Sequence, residues 1–137
     1  MKYIMSILGA LLLMTGAVLA EDKPAEKRFA ASIDKDGYQR VEMTAGEYYF
    51  DPAVVVVKVN VPVELTIRKV GGITPHNIVV KAPEADVDFK VDLSSEPKKI
   101  SFMATKAGSY PFECTNKLLF FKSHKDRGMH GVLEVVE

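Results

Sequence analysis

The chain contains one cysteine, Cys114, and no tryptophan. A single cysteine excludes an internal disulfide and a structural zinc site built on C-x-x-C pairs. It also excludes a binuclear copper site of the oxidase type, which needs two bridging thiolates. Charge of one sign is missing too: 18 basic residues balance 18 acidic ones, for a formal net charge of zero. Bulk electrostatic attraction to nucleic acid or to a membrane surface is therefore not expected. There are no internal repeats and no low-complexity tracts, and no segment carries a long helical period. What is present is 137 residues, 47% of them hydrophobic, enough for the core of one domain.

The longest apolar run is at the N-terminus. Lys2 supplies a short positive region, Ile4 to Leu19 is largely apolar, and Val18-Leu19-Ala20 offers small residues before the charged Glu21-Asp22-Lys23. This pattern predicts a cleaved secretory signal over residues 1–20, and hence a periplasmic or secreted protein. An uncleaved anchor is the alternative, but the run is short against the roughly 20 apolar residues a spanning helix needs. The mature protein would stay close to neutral and have no membrane attachment. Residues 21–36 are polar and aperiodic, and read as a flexible leader or an irregular first strand.

From Gly37 to Glu137 the pattern is that of short strands with punctuation every 8–12 residues. Tyr38–Thr44 alternates, and Val54–Val59 is a β-branched run stopped at Asn60-Val61-Pro62. Val63–Val70 alternates apolar with polar residues, as a strand with one wet face does. His76–Lys81, Lys98–Ala104, Ser109–Cys114 and Gly131–Val136 are further strands, and Val87–Leu93 is a weaker one or a loop. Around Asn116–Lys125 one or two helical turns are conceivable. Seven to eight strands in about 100 residues predict an all-β, antiparallel sandwich or small barrel, with a short helical or irregular insert before the last strand.

An odd cysteine in an exported chain is a reactive thiol, an intermolecular bridge or a metal ligand. His124 and Met129 follow Cys114 in the same stretch, and His76 lies upstream in TPHNIVV. One thiolate, two imidazoles and a thioether form the donor set of a mononuclear copper site with a weak axial methionine. Three ligands on the segment before the last strand and one at the start of another strand would converge at one end of a sandwich. The bland readings are a buried small hydrophobe for Cys114, a backbone-satisfied strand residue for His76, and core packing for Met129. His130 competes as a ligand, but it adjoins Met129, and neighbours in an extended chain face opposite ways.

These residues sit in a pattern that resembles the cupredoxins of the plastocyanin, azurin and auracyanin kind. The resemblance covers most of the mature domain. It rests on Tyr49-Phe50-Asp51-Pro52 with the strand and turn after it, and on Pro75-His76-Asn77. It rests also on Gly108-Ser109-Tyr110-Pro111-Phe112-Glu113-Cys114, on the H-x4-M spacing of His124 and Met129, and on Met129-His130-Gly131 leading into the last strand. It implies a Greek-key β-sandwich or barrel that binds one copper ion through His76, Cys114, His124 and Met129. Asn77 would pin the ligand loop through hydrogen bonds. The role implied is single-electron carriage, by a monomer, to a redox partner such as a cytochrome or a copper enzyme.

One departure stands out. The family usually places two to four residues between the cysteine and the second histidine, and here nine intervene. The insert, Thr115–Ser123, combines Leu118, Leu119, Phe120 and Phe121 with Lys117 and Lys122. The apolar cluster reads as core that covers the copper, or as a docking patch. Lys117, Lys122, Lys125 and Arg127 make the region locally basic, which is either a solvated face or a means of steering toward an acidic partner surface. Glu113 is expected to point away from the copper. Two other roles compete with electron transfer: a copper carrier or buffer using the same ligands, and an interaction module without metal. An enzyme is not expected, because four protein ligands leave no open position for substrate and no acid–base pair accompanies them.

Overall fold

The structure is a computed structural model and describes residues 27–117 and 123–137. The expected signal segment, and the centre of the expected insert at 118–122, lie outside the described residues. Ten strands build the described fold: β1 (Arg28–Ala30), β2 (Gln39–Gly46), β3 (Tyr49–Asp51), β4 (Val54–Lys58), β5 (Val63–Lys69), β6 (Asn77–Ala82), β7 (Val87–Asp92), β8 (Lys98–Phe102), β9 (Gly108–Glu113) and β10 (His130–Val136). One sheet has the order β1-β4-β10-β9-β6-β7 and the other β3-β2-β5-β8. Among the described residues the only helical element is a 3-10 turn at Pro83–Ala85. The all-β sandwich is as expected.

Two details differ from the sequence reading. There are ten strands where seven to eight were expected, because β1 and β3 have three residues each, too few to show a period. All three residues of β1 are exposed, and the strand is held instead by backbone pairing to β4 and by a two-pronged Arg28–Glu134 ion pair at 3.0 and 2.6 Å. Within the stretch 21–36, Arg28–Ala30 is thus an irregular first strand. The sandwich is also not purely antiparallel: β4 runs parallel to both β1 and β10, and β2 parallel to β5. Side-chain alternation carries no information on strand direction. The β4 run of four valines does carry a trace of it, since a strand with parallel neighbours is commonly buried on both faces, and Val55, Val56 and Val57 are all buried.

The core lies between the sheets. Val41, Met43, Leu65 and Ile67 face Val55, Val57, Ile78, Val80, Phe112 and Leu133, with Phe50 and Phe112 edge to face at 5.3 Å. Each such aliphatic side chain contributes about 1.5–3 kcal/mol on burial. One end of the sandwich is closed by Gln39. Its amide donates to the carbonyls of Lys58 (3.1 Å) and Val61 (3.2 Å), and its oxygen accepts from the Lys58 amide at 2.7 Å. The ends of β2, β9 and the starts of β6 and β10 meet at the opposite end, where the candidate ligands lie.

Candidate metal centre

His76 immediately precedes β6, Cys114 immediately follows β9, and Met129 immediately precedes β10. These three strands are neighbours, with Val79 opposite Glu113 and Glu113 opposite His130. Sheet pairing therefore carries residues far apart in sequence to a common rim.

His124 reaches the same rim through a tight turn. Residues Ser123 to Met129 fold back on themselves: the Ser123 hydroxyl accepts from the Asp126 amide at 3.2 Å, and the amides of Gly128 and Met129 donate to the carbonyls of Lys125 and His124 at 2.9 Å each. Gly128, at φ 97°, takes the left-handed conformation that ends the turn, which other residues adopt at a cost. This explains the H-x4-M spacing physically, because the Met129-to-His124 hydrogen bond spans one closed turn. The turn is then fastened at both ends, by the His124 amide to the Asn116 carbonyl (2.9 Å) and by the Cys114 amide to the Met129 carbonyl (3.1 Å).

The result is a compact buried cluster. His76 and His124 face each other Nδ1 to Nδ1 at 3.1 Å, and Cys114 Sγ lies 3.3 Å from His124 Nδ1. The ligand atoms of His76, Cys114 and His124 lie within 4.8 Å of one another. Cys114 and Met129 are fully buried, and the two histidines nearly so. His130, by contrast, is exposed and stays outside the cluster. Glu113 points outward, as expected, and its carboxylate pairs with Lys125 at 2.8 Å, tying β9 to the ligand turn.

Electrostatics favour ligation. Burial is the main cause that lowers both histidine pKa values. The neighbouring His124 and Lys69 add to the effect at His76, as Arg127 does at His124, while Glu47 opposes it at both. Both rings are thereby kept neutral, with a lone pair free for a metal. Asn77 is the brace. Its backbone amide donates to Cys114 Sγ at 3.5 Å, its side-chain oxygen accepts from the Thr115 amide at 2.8 Å, and its side-chain nitrogen donates to Thr115 Oγ1 (2.9 Å) and Asn116 Oδ1 (3.4 Å). This is the loop-pinning role expected of it.

The donor set fits copper. A soft thiolate with imidazoles selects copper or zinc over hard cations, and a lone cysteine with two histidines and a methionine selects a mononuclear copper site. The geometry supports the fit, since His76 Nδ1, His124 Nδ1 and Cys114 Sγ converge on one another at 3.1 and 3.3 Å, as donors to one shared ion would. Sequence reasoning did not single out Tyr48. Its ring packs 4.9 Å from that of His124 and 6.2 Å from that of His76, centroid to centroid, and Arg127 lies over it at 4.8 Å. The only signal was an aromatic pair, Tyr48-Tyr49, ahead of Phe50-Asp51-Pro52.

Fold and site together define a β-sandwich protein with a buried cluster of His76, Cys114, His124 and Met129 typical of a type 1 copper site. Residues 8–133 match the model of the cupredoxin-like domain, and the chain belongs to that family. Solved structures agree on the fold. The Cu(I)-bound metal-binding domain of the Cu(I)-exporting P-type ATPase CopA of Streptococcus pneumoniae is 20% identical with a TM-score of 0.62, over 82% of this chain and 98% of that one. Auracyanin of Roseiflexus castenholzii is 20% identical with a TM-score of 0.59, over 78% of this chain and 99% of that one. Auracyanin A of Chloroflexus aurantiacus is 21% identical with a TM-score of 0.56, over 73% of this chain and 100% of that one. No curated protein matches the chain significantly.

Proposed function

We propose that this chain is an exported, non-enzymatic carrier of single electrons. The observation that carries the reading is the packing of the ligand side chains. Two imidazoles and a thiol already stand at 3.1 and 3.3 Å in a water-poor rim, braced by Asn77 and by the backbone bonds among Cys114, His124 and Met129. Copper, when bound, supplies a one-electron couple between Cu(I) and Cu(II). A frame that keeps its ligands in one geometry limits the rearrangement that accompanies a change of oxidation state. With copper bound, Cys114 would give a covalent sulfur link into the sheet through β9, and Met129 would tune the potential as a thioether ligand.

The partner proposed is a redox protein such as a cytochrome or a copper enzyme, met in the periplasm or outside the cell. Basic residues around the turn favour an acidic surface on it, although Lys125 is already engaged by Glu113. Rates of association with such a partner should fall as salt rises. The deciding measurement is the absorption and electron paramagnetic resonance spectrum of the copper-loaded protein. Strong visible absorption from sulfur-to-copper charge transfer is expected. A colourless Cu(II) form would favour a second reading, copper trafficking, toward which the likeness to a domain of a Cu(I) exporter points.

A further inference from the structure

Nine residues separate Cys114 from His124, and the hydrogen bonds that hold His124 in its turn are backbone bonds, which place its main chain but not its ring. Among the described residues, the aromatic ring that packs against His124 from outside the ligand segments is Tyr48. It lies in the turn between β2 and β3, on the other sheet, and its ring is tilted 57° to that of His124. The same tyrosine is held from the ligand turn: Arg127 lies over its ring, and Arg127 Nη1 donates to its hydroxyl at 3.3 Å. His124 and Arg127 are three residues apart on one turn, so the turn grips Tyr48 at two points.

The preceding residue acts on the other histidine's loop. The Glu47 carboxylate lies over Gly72, which adopts a left-handed φ of 64°. Thr74, two residues before His76, is the main cause that holds the Glu47 carboxyl below its ordinary range. One turn of the four-stranded sheet thus reaches both segments that carry imidazoles.

We propose that Tyr48, clamped by Arg127, is a positioning residue that sets the ring orientation of His124 for copper, a side-chain contact added from the opposite sheet to the backbone bonds that hold the ligand turn. The inference rests on the copper site and not on the use made of the copper. Partners that orient a ligating histidine commonly affect metal affinity 10- to 100-fold.

The test compares Tyr48→Leu, Tyr48→Phe and Arg127→Gln in the mature protein. Tyr48→Leu should release Cu(I) to a chelator about tenfold faster and broaden or double the Cu(II) paramagnetic resonance parameters. Tyr48→Phe, which keeps the ring, should stay within about twofold of wild type in release, consistent with the small net worth of one exposed hydrogen bond. Arg127→Gln leaves the ring and removes the cation over it together with the hydrogen bond to its hydroxyl. It should speed release about two- to fivefold, and in the metal-free protein it should exchange-broaden the His124 ring resonances while those of His76 stay sharp. Wild-type release and spectra in Tyr48→Leu would overturn the proposal, as would equal damage in Tyr48→Phe. If Tyr48→Leu does not fold, an Arg127→Gln protein with unchanged His124 resonances and release overturns it.

Discussion

The two ends of the sandwich bury polar side chains in opposite ways. At one end Gln39 is fully buried, yet both its amide hydrogens and its oxygen find backbone partners between 2.7 and 3.2 Å. At the other end His76 is just as buried but leaves Nε2 unpaired, and its Nδ1 faces another imidazole at 3.1 Å. Burial of a polar group therefore says little by itself about function. A satisfied group closes the fold, whereas a cluster left unsatisfied by the protein has donor capacity to spend on something else.

The contrast can be broken most severely by Cys114→Ser. The visible absorption of the copper-loaded protein should vanish, while the metal-free protein should melt within a few degrees of wild type. A mutant that lost its fold instead would place Cys114 with Gln39 as a structural residue. Next in size is the histidine pair. His124→Ala should weaken copper binding by far more than tenfold, and His130→Ala should leave it within about twofold, since only a true ligand loses a coordinate bond. The reverse order of effects would reassign the ligand.

The Gln39 end is tested by Gln39→Leu, which strands the Lys58 amide and two carbonyls. With each of these three buried unpaired groups costing about 1–3 kcal/mol, urea unfolding should report a loss of about 3 kcal/mol or more, with the copper spectrum unchanged. A spectral change as large as one from the ligand end would dissolve the distinction between the ends. The smallest effect expected is of pH on the metal-free protein. Both histidines have folded pKa values below the ordinary 6.5, so below that pH the unfolded chain binds more protons. Stability should fall as pH drops from 6.5 through the folded values, by up to about 1.4 kcal/mol per pH unit for each imidazole. Replacing either histidine with glutamine should flatten that slope.

Much of this end was legible beforehand. The four ligand positions were readable from their donor types and from short motifs that resemble those of cupredoxins, and the brace at Asn77 from that resemblance. Strand positions from Val54 onward were also readable, because a two-residue alternation survives wherever one face is wet. Illegible were β1, whose three residues are all exposed, and the parallel pairing of β2 with β5, because alternation is blind to direction. Tyr48 escaped for another reason. Its importance comes from touching a histidine 76 positions away, and nothing in Gly46-Glu47-Tyr48-Tyr49 encodes that neighbour.

The amino-acid sequence by itself determined the chemistry and the local shapes: one soft thiolate, two imidazoles and a thioether, a turn closed by Gly128 that spaces His124 from Met129, and strands that bury one side. These depend on side-chain type and on residues within one turn of each other. Only the tertiary structure decided that β6, β9 and β10 are neighbours, that His76 meets Cys114, and that a turn of the opposite sheet presses Tyr48 onto His124. Those contacts arise from burying two sheets against each other, and that packing is settled by the whole chain at once.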